Sequence, residues 1–145
     1  MNILVSSCLL GINCKYTGGN NKQADILKLI DKCILIPVCP EQFGGLSTPR
    51  DAVELVNNRA ITDKGVDLTE YFEKGAYEVL ELAKIYNCKY AILKQRSPSC
   101  GNDYAYDGTF SKKLIEGKGI TTRLLELNDI KVYNETQLEE IQKII

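Results

Sequence analysis

The chain contains no histidine, no tryptophan and a single methionine in 145 residues. Without histidine there can be no Ser–His or Cys–His nucleophile pair, no histidine-ligated zinc and no imidazole acid–base chemistry. Any proton transfer falls to Glu, Asp, Lys, Tyr, Ser or water. An excess of one charge is also missing: 18 basic residues stand against 19 acidic ones, for a net charge of −1. No strong field therefore favours nucleic acid or an anionic membrane. No apolar run nears the roughly 18 residues a membrane span needs. The opening MNILVSSCLLG carries no basic stretch ahead of its short apolar run, so it reads as a first strand rather than a secretory signal. The expected location is the cytoplasm. There is no internal repeat, low-complexity tract or interdomain linker.

The remaining composition is that of an ordinary globular protein, 44% hydrophobic and 26% charged. The length predicts one domain over residues 1–145. Residues 3–7, 34–38 and 90–94 read as buried parallel strands, and 130–133 as a fourth. Residues 22–31 have helical spacing at Ile26, Leu27 and Ile30. The strongest helix covers 69–86, with Phe72, Ala76, Val79, Leu80 and Ala83 on one face, Thr69 or Asp67 at its start and Asn87 at its stop. Residues 119–127 and 136–144 read as further helices, 52–62 as a hairpin around Asn57-Asn58, and 95–112 as a long polar loop. The fold class this predicts is α/β, a single-domain, mostly parallel, Rossmann-like three-layer sheet with its active site at the carboxyl edge.

Six cysteines could form three disulfides in a secreted chain, but in a chain with cytosolic character clustered cysteines point to metal binding or reactivity. Cys8, Cys39 and Cys100 each follow a predicted strand and so share the carboxyl edge, with Cys14 in the first loop on the same side. Three thiolates with no histidine suggest a metal or cluster site with one open coordination position. Cys33 and Cys88 precede strands, at the opposite edge, and read as small buried hydrophobes. No CxxC pair supports a zinc ribbon or a ferredoxin-type run. Glu41 lies two residues beyond Cys39 and is either a functional carboxylate or a solvated one. Arg96, Ser97, Ser99 and Gly101 surround Cys100, and the serines fit turn chemistry as well as catalysis. Gly18, Gly19 and Asn20 precede a helix and could hold an anion. Arg50 could bind a phosphate or lie on the surface.

The motifs CLLG, VCPEQFGGLSTPR, RSPSCG and YDGTF, in that order, resemble the thiouracil desulfidase family over essentially the whole chain. The resemblance implies an enzyme with a 4Fe–4S cluster held by only three cysteines, placed on Cys8, Cys39 and Cys100. It implies non-redox, hydrolytic removal of sulfur from thiolated uracil bases or nucleotides, of the 4-thiouracil or 4-thiouridine monophosphate type. Glu41 matches the family's acidic catalytic residue, and its catalytic serine falls on Ser97 or Ser99. Arg50, Arg96, Gly18, Gly19 and Asn20 become candidates for substrate binding. Cys14, Thr17 and Gln95 depart from residues common in relatives. The implied partner is a small thiolated base or nucleotide, with no membrane and no stable nucleic-acid partner. The alternatives are a cluster-dependent sulfur-trafficking enzyme and a non-catalytic metal-binding module.

Overall fold

Parallel pairing of apolar strands organises the molecule, whose computed structural model describes all 145 residues. In chain order the elements are β1 (Asn2–Ser6), α1 (Ala24–Leu27), β2 (Ile34–Val38), α2 (Pro40–Phe43), β3 (Val53–Val56), β4 (Arg59–Thr62), α3 (Thr69–Ile85), β5 (Tyr90–Leu93), β6 (Tyr104–Tyr106), β7 (Leu114–Glu116), α4 (Ile120–Leu127), β8 (Lys131–Asn134) and α5 (Leu138–Ile144). Four strands form one sheet in the order β2-β1-β5-β8, with every pairing parallel. β3 and β4 form an antiparallel hairpin, and β6 and β7 a second one.

Strand alternation divides the core between the two faces of the sheet. Ile3, Val5, Ile92 and Tyr133 join Ile26, Leu29 and Ile141 in one apolar cluster. Leu4, Val38, Ala91, Leu93 and Val132 join Val79, Leu80, Ala83 and Leu125 in the other. The first cluster takes its helical members from α1, α5 and the turn between α1 and β2, and the second from α3 and α4. No helix is long and apolar enough to cross a membrane.

Long, periodic segments match the expectations from sequence. α3 buries Phe72, Ala76, Val79, Leu80 and Ala83. Asp67 Oδ1 accepts the backbone N–H of Thr69 at 2.9 Å and its hydroxyl at 2.6 Å, and Asn87 ends the helix region at φ 51°. The hairpin turns at Asn57 and Asn58, with φ 50° and 64°, as a two-residue turn with positive φ at both positions requires. Shorter features differ. Residues 22–31 split into a single α turn and a 3-10 turn, Lys28–Asp31. The expected loop 95–112 contains β6, whose partner β7 is exposed throughout. Strands of three residues are too short to register as a period.

A helix–helix contact made through glycine fixes the position of α2. A Cβ on Gly75, in the middle of α3, would lie 1.8 Å from the Pro40 carbonyl oxygen, and one on Gly44 would lie 2.0 Å from that of Tyr71. The two backbones therefore touch directly, and this seats the Cys39–Glu41 segment. Gly75→Ala raises helix propensity but drives α2 off α3. The expected result is a loss of about 1–3 kcal/mol, typical of overpacking, read from the urea midpoint. An unchanged or higher midpoint would show that α2 is free to shift.

Candidate active site

The chain runs from β1 to the edge strand β2, then returns to β5 on the other side of β1. Where strand order reverses in this way, the loops at the carboxyl ends diverge and leave a crevice. Here the crevice is a cleft of about 470 Å³ lined by residues from the ends of β1, β2 and β5 and from both hairpins. Ser6 Oγ accepts the N–H of Lys94 at 2.9 Å, which ties the end of β1 to the end of β5.

Cys8, Cys14, Cys39 and Cys100 all line the cleft, and all six cysteines are free thiols. Cys8 lies in the 3-10 turn Ser7–Leu10, which Gly11 ends at φ 97°. Its carbonyl accepts the N–H of Asn21 at 2.9 Å. Cys39 is the N-cap of α2, with Pro40 at the first helical position. Cys100 is held on both sides: its N–H donates to Ser97 Oγ at 3.1 Å, and its carbonyl accepts the Thr122 hydroxyl at 2.8 Å. Cys33 and Cys88 lie away from the cleft. The Cys33 thiol donates to the Leu29 carbonyl at 3.3 Å, and Cys88 borders a separate hollow at the amino end of the sheet.

The thiols are electrostatically unlike. The Cys14 thiol donates toward Cys8 and lowers it to about 7 against the opposing effect of burial. It also lowers Cys39. Cys14 itself is pushed up, first by its bond to Cys39 and then by that to Cys8. Cys14 has only one S–H, so it stabilises one thiolate at a time. Cys100 is pushed well up by burial, with the Glu41 charge adding to the effect. No three Cys, Asp or Glu side chains converge on a single ion position. A polynuclear cluster asks something different of its ligands, since each thiolate meets a separate metal corner.

Glu41 is buried on α2, not solvated. Its Oε2 lies 3.8 Å from Cys39 Sγ and 4.0 Å from Arg50 Nη2. Arg50 is not free to take a phosphate with its whole guanidinium. Nη2 donates to the Cys14 carbonyl at 3.0 Å, and Nη1 donates to Thr48 Oγ1 at 3.0 Å and to the Ser47 carbonyl at 3.3 Å. It pins the Cys14 loop to the segment after α2 while facing Glu41.

Of the two candidate serines, Ser97 lines the cleft and Ser99 does not. Ser97 Oγ accepts N–H bonds from Ser99 and Cys100. Ser99 is fully buried behind the turn, its hydroxyl without a partner. Arg96 lines the cleft, while Gly18, Gly19 and Asn20 lie outside it. The Asn20 side chain donates to Asn13 Oδ1 and accepts from the Lys22 N–H. The following helix, α1, has only four residues, so these three residues shape a loop rather than a helix-end anion site. Sequence reasoning missed Lys15, Tyr16, Glu54, Tyr106, Phe110 and Lys112, which complete the outer wall. The YDGTF motif was the available signal, but nothing in its spacing shows which way the loop folds.

The fold and site together define an α/β protein with a parallel four-stranded sheet and a thiol-lined cleft at its strand-order reversal. The chain belongs to the 2-thiouracil desulfurase family, whose model matches residues 3–137. It is 41% identical to the YbbK protein of Bacillus subtilis (strain 168) over 149 aligned positions, covering 96% of this chain and 99% of that one. Among solved structures it is similar to the [4Fe-4S]-dependent thiouracil desulfidase TudS, with a TM-score of 0.91 and 36% identity over 99% of this chain and 96% of that one.

The turn that carries Cys100 depends on close backbone packing. A Cβ on Gly119 would lie 2.3 Å from the Ser99 carbonyl carbon and oxygen and 2.7 Å from the Cys100 nitrogen. Gly119→Ala should displace residues 97–101 and open Cys100, which is now 4% exposed. Faster alkylation of Cys100 in the metal-free protein, read by peptide mass, is the expected result. A wild-type labelling rate would mean that α4 moves instead.

Proposed function

We propose that the protein removes sulfur hydrolytically from thiolated uracil bases or nucleotides, using a 4Fe–4S cluster held by Cys8, Cys39 and Cys100. The observation that carries this reading is the convergence of these three buried thiols on one cleft beside a buried carboxylate. The donor set fits the group: thiolates are the usual ligands of iron–sulfur clusters. The family membership and the likeness to TudS support the same reading. In this reading the frame is of the Rossmann-like three-layer kind, supported by apolar clusters on both faces of the sheet. The protein acts in the cytoplasm.

Held by Cys8, Cys39 and Cys100, the cluster would supply a soft Lewis acid for the thiocarbonyl sulfur. The chain supplies the rest. A water in the cleft delivers the oxygen that replaces sulfur, and the Glu41 carboxylate takes its proton. Arg50 Nη2 lies 4.0 Å from the Glu41 Oε2 and holds the segment that carries it in place. Ser97 Oγ already accepts two N–H bonds, so its own hydrogen is free to point into the cleft. There it can donate toward the reacting group. Atoms balance: the carbon exchanges C=S for C=O, water is consumed and hydrogen sulfide leaves, with no electron gained or lost.

The cleft volume is in the range of small-molecule sites, and its wall suits a pyrimidine carrying an anionic group. Tyr16, Tyr106 and Phe110 offer ring faces. Lys15, Arg96 and Lys112 also line the cleft, and none of them takes part in an ion pair. A 4-thiouridine monophosphate-like substrate fits this wall better than a bare 4-thiouracil, because only the nucleotide brings the charge those cations can meet.

Two experiments test the reading. Anaerobic preparation should yield a brown protein with bound iron and sulfide. Cys8→Ser, Cys39→Ser and Cys100→Ser should each lose the iron, whereas Cys14→Ser, Cys33→Ser and Cys88→Ser should keep it. If Cys14→Ser also lost the iron, a four-thiolate site would replace the three-thiolate one. With the cluster present, Glu41→Gln keeps the side chain's shape and removes the base. Turnover, followed as loss of thiocarbonyl absorbance, should fall by about 10²-fold or more with iron content unchanged. Undiminished turnover with intact iron would remove Glu41 from the reaction.

A further inference from the structure

The two hairpins of the cleft wall cannot hold themselves. β6 and β7 pair over three residues each, and an isolated two-stranded hairpin is marginal in water. The loop between them, residues 107–113, carries Phe110 and Lys112 in the left-handed region at φ 57° and 63°, conformations that non-glycine residues rarely adopt unaided. Even so, both residues face the cleft. The loop is anchored on the other hairpin. Glu54 Oε1, on β3, accepts the N–H of Gly108 at 3.1 Å and that of Phe110 at 3.0 Å. Gly108, at φ 91°, lies so close to β3 that a Cβ there would be 2.8 Å from Val56 Cγ2 and 3.0 Å from the Leu55 carbonyl. Glu54 takes part in no ion pair, so these two N–H groups are its fixed partners.

We propose that Glu54 is a positioning residue: its carboxylate latches the 107–113 loop onto β3 and so holds Phe110 and Lys112 as the outer wall against which substrate binds. The latch rests on the desulfuration reading only for the identity of that substrate. Phe110 gives a ring face for the base, and Lys112 a cation for an anionic substituent. Neither belongs to the thiols, carboxylate and serine assigned to the reaction, so the latch governs binding and leaves the chemical step alone. Both N–H groups share one oxygen, so the Gln carbonyl can replace the carboxylate, whereas Ala cannot.

The test uses the iron–sulfur-loaded, full-length protein and three chains: wild type, Glu54→Ala and Glu54→Gln. If the latched loop is the binding-competent form, freeing it for nine-tenths of the time raises KM for 4-thiouridine monophosphate about 10-fold. kcat should stay within about twofold, as expected when only binding is lost. Glu54→Gln should stay close to wild type in both. Limited trypsin digestion gives a readout independent of turnover: cleavage after Lys112 and Lys113 should quicken in Glu54→Ala and not in Glu54→Gln. Unchanged KM in Glu54→Ala overturns the proposal, whatever the digestion shows. A fall in kcat or in bound iron overturns it too, because Glu54 would then act in the reaction or the fold. Absence of turnover in the wild type would defeat the desulfuration reading instead, and the digestion would then decide the latch: an unchanged cleavage rate in Glu54→Ala sinks it.

Discussion

Parallel register is the constraint on which the site depends. Ser6 pairs with Val38 and Val5 with Ile92, so β1, β2 and β5 end at nearly the same height. A parallel sheet sends every strand's following loop to the same edge. Three cysteines far apart in sequence therefore leave the sheet together, with no local motif needed to bring them near. A one-residue slip of β2 would turn Val38 and Ile36 away from their cluster and carry Cys39 out of the cleft. The apolar core on both faces thus enforces the geometry of the thiols as well as the stability of the fold.

Burial sets the chemistry that this geometry allows. Cys8, Cys39 and Cys100 are each less than one-tenth exposed, a cost for thiolates that only partners can offset. Without metal, the Cys14 thiol serves Cys8 or Cys39, one at a time, while burial pushes the Cys100 thiol well up. A cation or cluster reverses that balance by deprotonating its thiol ligands. Arg50 belongs to the same balance. It is a half-buried cation beside the floor, and its donors are spread over the Cys14 carbonyl, Thr48 and the Glu41 side. It therefore couples the first loop, the α2 segment and the candidate base. An arginine spent in this way holds the site together, which explains why it makes a poor phosphate clamp.

The parts legible in sequence were those written in long periods or fixed by topology. β1, β5, β8 and α3 carry their burial in their spacing, whereas β2, read as a buried strand, is an edge strand with only Val38 buried; the division of cysteines into two edges followed from where strands start and stop. The Asn57-Asn58 turn was legible because two adjacent asparagines suit positive φ. The rest hid for physical reasons. β6 and β7 are too short to show a period, and β7 buries nothing. Gly75 reads as a weak point in a helix, and only the approach of Pro40 shows why a side chain is excluded. Ser97 and Ser99 are equivalent as letters. The turn separates them, aiming one hydroxyl at the cleft and burying the other. Gly18, Gly19 and Asn20 looked like an anion site because a helix was expected after them, and that helix is a single turn.

Floor and wall of the cleft are built on different principles. The floor is set by the sheet, whose central strands β1 and β5 are largely buried and cannot shift without breaking the core. The wall consists of two small hairpins outside the sheet, packed through β3 and β6 and latched by one carboxylate and one close glycine contact. Local stability should follow this division, since opening free energies are lowest where few apolar groups are buried. A rigid floor suits groups that must hold a cluster and a base in fixed relation. A lightly held wall suits a surface that must admit a planar ring and release it. The separation also means that changes in the wall can alter what the cleft binds without disturbing the thiols, because no wall residue contributes to either apolar cluster beneath the floor.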